Sequence, residues 1–172
     1  MEKKNFIITT TRFNNDTLNQ KTNWCKSNHF DGSIYNTPIK LSPKTPTCSP
    51  IIVIEMNNDT NKITGFGLIK NKLDYNYYRI YNTNNYNRFT YKSNYYLNAD
   101  DIDLNFNNII LAIEKILFTG KTHLKRGLGI THFPDKFNFN KDLNTQLISH
   151  SFKNLNFFFR HIFLERFKKI SF

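Results

Sequence analysis

Cysteine is scarce in this chain of 172 residues: Cys25 and Cys48 are the only two, and no C-x-x-C spacing occurs. That excludes a disulfide framework and fits free thiols in a reducing compartment. No apolar run approaches the roughly eighteen residues of a membrane span, and the opening residues lack a signal-peptide core. The expectation is therefore an intracellular, cytoplasmic protein without a membrane span. Acidic residues are also few, with 13 Asp and Glu against 24 Lys and Arg, a formal charge of +11. A small basic chain attracts polyanions, which puts nucleic acid first among partner classes and anionic membrane second. Asn is near one residue in seven, and Lys, Ile, Phe and Tyr are plentiful. An AT-rich genome is a second source of that composition and of the lysine excess.

Motifs that carry chemistry are equally sparse. Thr119-Gly120-Lys121-Thr122 lacks the earlier glycine of a phosphate-binding loop, because Lys115 stands there and a helix rather than a strand precedes it. No G-x-S-x-G and no H-E-x-x-H occurs. Asp101-Ile102-Asp103 has the form of a metal pair, but acidic residues also favour a helix start. No catalytic residue, metal ligand or cofactor is assigned.

What is present organises around residues 49–71. Apolar runs at 51–55 and 63–69 flank Asn57-Asn58-Asp59-Thr60-Asn61-Lys62, the pattern of a β-hairpin. The first run hardly alternates, as expected of a strand covered on both faces. Gly65 and Gly67 fit a bulge, a bend or the close approach of another group. A strand is expected at 6–11, then a brief helix capped by Asp16 or Thr17. Pro38, Pro43, Pro46 and Pro50 make residues 28–50 a loop with a short extended piece at 33–35. Strands are expected at 77–81 and 87–92. Ile102, Phe106, Ile109, Ile113 and Ile116 have helical spacing, ended by Gly120. A long amphipathic helix is expected over 142–169, with Ile148, Phe152, Leu155, Phe159, Ile162 and Phe167 on one stripe.

Two sets of residues suit nucleic acid. Lys121, His123, Lys125 and Arg126 fall within nine residues that also hold Gly127 and Gly129, a supply of phosphate donors. A solvated basic loop after a helix would look the same. Trp24, Phe30, Tyr35 and Asn36 surround an irregular segment, where rings stack on bases and an amide reads an edge. Burial in the core is the other use of Trp24.

The first half, about residues 5–82, resembles the PUA-like superfamily and especially its YTH and EVE branches. Phe30-Asp31-Gly32-Ser33-Ile34-Tyr35-Asn36 is similar to the W-D-G-V-R-N element of EVE domains. Ser33-Ile34-Tyr35-Asn36-Thr37-Pro38 is similar to the YTH segment in which a cage tryptophan precedes T-x-P. Lys62-Ile63-Thr64-Gly65-Phe66-Gly67 follows an apolar strand, as in those families. The resemblance implies an α+β fold with a PUA-like β-barrel and packed helices. It also implies a pocket at Tyr35 and Asn36 for a modified base, with Tyr75, Tyr77 or Tyr78 completing the cage. The latter half, with His123-Leu124-Lys125-Arg126-Gly127, resembles proteins of large DNA viruses and carries no activity over.

These readings converge on one domain, with the barrel over 5–135 and the last helix over 140–170. The expected function is non-catalytic binding of RNA or another nucleic acid. Base-binding residues would be Trp24, Phe30, Tyr35, Asn36 and Tyr77, and phosphate-binding residues Lys121, His123, Lys125 and Arg126. The rivals are a nucleic-acid-processing enzyme of ASCH-like type and a structural or host-interaction protein that uses the Phe-rich last helix.

Overall fold

The computed structural model describes residues 5–170 and has a mixed α+β architecture. Its centre is β3 (Pro50–Asn57), every residue of which is buried. β3 pairs antiparallel with β4 (Lys62–Lys70), the expected hairpin, and parallel with β1 (Ile7–Phe13). A parallel pair needs a long crossover. Here α1 (Asn15–Ser27), β2 (Ser33–Thr37) and the proline-rich segment supply it. The main sheet has the order β6 (Tyr95–Asn98), β4, β3, β1, β7 (Ile130–His132).

β2 pairs instead with β5 (Phe89–Ser93) in a small second sheet. β5 passes into β6 through Asn94 alone, so the small sheet hangs from the β4 edge. Ser93 Oγ donates to Leu68 O, and Ser33 Oγ to Tyr95 O, across that joint. At the far end Gly129, with φ of +68°, approaches the β2 side. A Cβ there would stand 3.3 Å from Ile39 and 3.5 Å from Thr37. The main sheet is thus open and the expected closed barrel is not shown, although Gly129 beside β7 lies close to the β2 side without pairing.

Alternation along β3 sorts the core into two layers. Ile52, Ile54 and Met56 face α2 (Asn107–Phe118), α3 (Lys141–Ser149) and α4 (Leu155–Arg166). Ile51 and Val53 face the other layer, with Ile34, Tyr35, Tyr91 and the half-buried Leu18 and Trp24 of α1. Both faces are therefore covered, which is why the β3 run does not alternate in polarity. In α2 the expected Ile109, Ile113 and Ile116 are buried, whereas Ile102 and Phe106 precede the helix.

Four local expectations are corrected. The last helix is two helices, because Ser151 adopts φ of +63° and the Asn154 side chain caps α4 by accepting from Phe157 N. The break shifts the register: Ile148 is 70% exposed, while Phe158 and Phe163 join Phe159 in the core. Residues 77–81 form no strand; the chain just before them makes one bridge to β5, Asp74 with Thr90, and Tyr78 Oη accepts from Lys92 Nζ at 3.3 Å. Asn14, rather than Asp16 or Thr17, caps α1 in a reciprocal pair with Thr17. Within the proline-rich stretch the short extended piece runs to Thr37 as a buried strand, β2.

Phe159 packs on Phe66 with ring centroids 5.4 Å apart and is fully buried. Phe159→Ala is expected to cost about 3–5 kcal/mol in chemical denaturation. Ile148→Ser should stay within about 0.5 kcal/mol of the parent, as for an exposed site. Large losses at both positions would mean one continuous helix with the register read from spacing.

Candidate functional site

The inner layer contains a charge. Glu55 is fully buried on β3, and Lys21 of α1 is 5% exposed and forms an ion pair with it. Two buried ions cost several kcal/mol each unless their geometry is completed. Tyr96 Oη donates to Glu55 Oε2 at 3.3 Å. The Lys21 ammonium lies 5.0 Å from the Tyr35 and Tyr96 ring centroids and 5.3 Å from that of Phe13. Gly65 and Gly67 make room for the two tyrosines: an added Cβ would stand 2.2 Å from Tyr96 Oη and 2.1 Å from Tyr35 Oη. Burial, and then the Glu55 charge, raises the Tyr35, Tyr81 and Tyr96 hydroxyls well above the usual phenol range.

Phe13 and Tyr35 also line a cleft of about 290 Å³ between the end of β1, the β2 side and the Gly129 turn. Its rim brings together Arg12 near the end of β1 and Asn14 after it, Asn58 and Asp59 of the hairpin turn, Pro38 after β2, and Tyr86 of a 3-10 turn (Asn84–Asn87). Leu128 and Gly129, at the end of the basic segment 121–129, form the remaining wall.

Hydrogen bonds hold that basic segment in place. Asn58 Nδ2 donates to Lys125 O at 2.9 Å and Arg12 Nη1 to the same oxygen at 3.3 Å. Lys125 Nζ donates to Asn61 Oδ1 at 2.8 Å, and Thr11 Oγ1 to Gly129 O at 3.1 Å. Lys121 and Arg126 remain exposed, whereas His123 and Lys125 are half-buried. His123 Nδ1 accepts from the Lys125 amide at 3.3 Å. The four predicted phosphate-binding residues thus sit on one ordered loop beside the cleft. Arg12 and Tyr86 join them, and sequence reasoning missed both. Arg12 had one readable signal: it is the charged residue that directly follows the β-rich run of residues 6–11.

The five residues expected to bind a base separate into three places: Tyr35 with Asn36, Trp24 with Phe30, and Tyr77 apart from both. Tyr35 is 2% exposed and packs with Ile51 and Val53, so its ring is part of the core. Asn36 has spent its amide: Nδ2 donates to Tyr78 O at 2.6 Å and Asn87 Oδ1 at 3.0 Å, while Oδ1 accepts from Thr90 Oγ1 at 2.6 Å. Neither side chain is available to read a base, because a buried strand and not a loop carries them. Trp24 and Phe30 do meet, with centroids 6.2 Å apart. Their third partner is Tyr78, 5.7 Å from Trp24, rather than Tyr77, which is 72% exposed. Lys92 Nζ lies 4.6 Å from the Phe30 centroid and 4.7 Å from that of Tyr78.

Comparison of the chain with protein-family models, with curated proteins and with solved structures gives no match. The candidate site therefore rests on its geometry.

Two predictions concern the buried charge. Lys21→Met leaves Glu55 unpaired and should cost about 3–5 kcal/mol, whereas adding Glu55→Leu should recover most of the loss. A double-mutant cycle in urea measures this, and additive losses would show that the two side chains act separately. The tyrosines set an alkaline limit. Unfolded tyrosines lose their protons near pH 10, but folded Tyr35, Tyr81 and Tyr96 hold theirs to higher pH. Stability is then complete below about pH 10 and falls as pH rises beyond it. Denaturation midpoints from pH 8 to about 11.5 should decline only above that point. A flat profile would mean the hydroxyls ionise in the folded state.

Proposed function

We propose that this protein binds RNA or another nucleic acid without acting on it chemically, using the basic segment 121–129 and the cleft beside it. One observation carries the reading: the same segment that presents Lys121 and Arg126 also builds the cleft wall facing Tyr86 and Arg12. Phosphate donors and an aromatic-edged slot of about 290 Å³ are thereby adjacent. Cations fix a nucleic-acid strand by its phosphates, and a ring supplies the face on which a base stacks. The formal charge of +11 supports the same partner class.

The PUA-like reading is part of this proposal. The strand–helix–strand opening, the central hairpin and the approach of Gly129 to Thr37 and Ile39 support it. In this revised form Tyr86, not Tyr35, is the ring that meets a base. The Phe-rich stripe of the C-terminal helices serves the core, as Phe158, Phe159 and Phe163 are fully buried. That leaves less of it for a protein partner. Among the described residues no helix is long and apolar enough to cross a membrane.

The test is binding of a labelled single-stranded RNA at several salt concentrations. Each phosphate contact should contribute about 0.7 to the log–log slope, so Lys121→Ala and Arg126→Ala should each flatten it by about that amount. Tyr86→Ala should weaken binding by about five- to a hundred-fold, as for loss of one stacked ring. Unchanged slopes in both cation variants would overturn the proposal. Mg²⁺-dependent cleavage of the RNA would replace it with a nuclease.

A further inference from the structure

Away from the cleft, the small sheet carries a second basic surface. A cavity of about 470 Å³ is lined by Lys70, Lys72 and Lys92 together with Asp74, Tyr75 and Tyr95. Three cations thus meet one carboxylate. That carboxylate is already engaged: Asp74 Oδ1 accepts from Asn76 N at 3.0 Å and Asn76 Nδ2 at 2.9 Å, and Oδ2 from Tyr78 Oη at 3.0 Å. Those bonds keep Asp74 charged, so it offsets one lysine and the surface stays net positive.

The aromatic rings here are as unusual as the charge. Tyr75 is 90% exposed and Tyr77 is 72% exposed. Large rings usually leave water when they serve a fold. These two lie on the segment that forms no strand and hold no place in either core layer. Tyr75 lines the cavity with the lysines, and Tyr77 stands two residues further along the same segment. Solvated rings and nearby cations match what an unpaired strand needs: π-faces for its bases and positive charge for its phosphates. A duplex hides its base faces and would use only the lysines.

We infer that Tyr75 and Tyr77, with Lys72 and its neighbouring lysines, form a second binding surface for single-stranded nucleic acid, separate from the cleft. The two surfaces lie at opposite ends of the β2–β5 pair, since Ser33↔Ser93 adjoins this cavity and Thr37↔Phe89 adjoins the cleft. From Ser33 the cleft-lining Tyr35, Asn36 and Pro38 lie two to five residue steps along the chain, about 7–17 Å at about 3.3 Å per residue. A single flexible strand is suited to touch both, and linked contacts raise affinity beyond either alone.

The experiment compares a labelled single strand with a duplex of the same sequence, using the parent, Tyr75→Ala/Tyr77→Ala, Lys72→Ala and Tyr86→Ala. Both tyrosines are exposed, so the double variant should melt with the parent, which a thermal scan checks. Its affinity for the single strand should fall about five- to a hundred-fold, with little change for the duplex. Lys72→Ala should flatten the salt slope by about 0.7 on the single strand. The inference is overturned if the tyrosine variant binds the single strand as the parent does, or if strand and duplex affinities fall equally. The first result with loss in Tyr86→Ala would leave the cleft reading standing. Loss in the tyrosine variant with none in Tyr86→Ala would uphold this surface and remove the cleft. Tyrosine-dependent binding to phosphatidylserine vesicles, with none to the strand, would also overturn it.

Discussion

The Lys21–Glu55 pair is the constraint from which the inner half of the molecule follows. A carboxylate with no exposed surface on the central strand requires a cation and further donors. The cation comes from α1, which fixes that helix against the sheet. The donor comes from Tyr96 on β6, and the rings around the ammonium come from Phe13, Tyr35 and Tyr96. With Thr64 Oγ1 of β4 donating to Glu55 Oε2 at 3.5 Å, six elements converge on one charge. Two glycines on β4 are the steric condition for that convergence, because any side chain at Gly65 or Gly67 would displace a tyrosine hydroxyl.

Function, on this account, lies at the edge of that arrangement. Phe13 and Tyr35 belong both to the cage around Lys21 and to the floor of the cleft. The basic segment is held above them by carbonyl contacts from Asn58, Arg12 and Thr11, which leave its outer cations to solvent. A rigid frame thus carries an ordered, positively charged loop. That is a suitable way to present phosphate donors without a large loss of chain entropy on binding.

Much of the frame was legible in the sequence. Unbroken apolar residues 51–54 indicate a doubly covered strand, and the turn chemistry of residues 57–62 locates the hairpin. The basic segment was legible from charge density alone. Tyr35 was not, because prolines on either side suggest a loop, while β2 is stabilised by pairing with β5 more than fifty residues away. Asn36 looked like a reader of edges for the same reason; its partners Thr90 and Asn87 are equally remote. The helix break at Ser151 left a faint local signal in Ser149, His150 and Ser151, which a continuous Phe spacing outweighed. The Lys21–Glu55 pair had none, since nothing in local spacing links a helix lysine to a strand glutamate 34 positions on.

The central claim is that nucleic acid lies on the basic side of the sheet, opposite the helical layer. Hydrogen-exchange protection mapped on the complex with a single-stranded RNA tests it most directly. The account predicts added protection at residues 121–129 and 84–88, with none on the outer face of α4. Protection confined to α3 and α4 would contradict it.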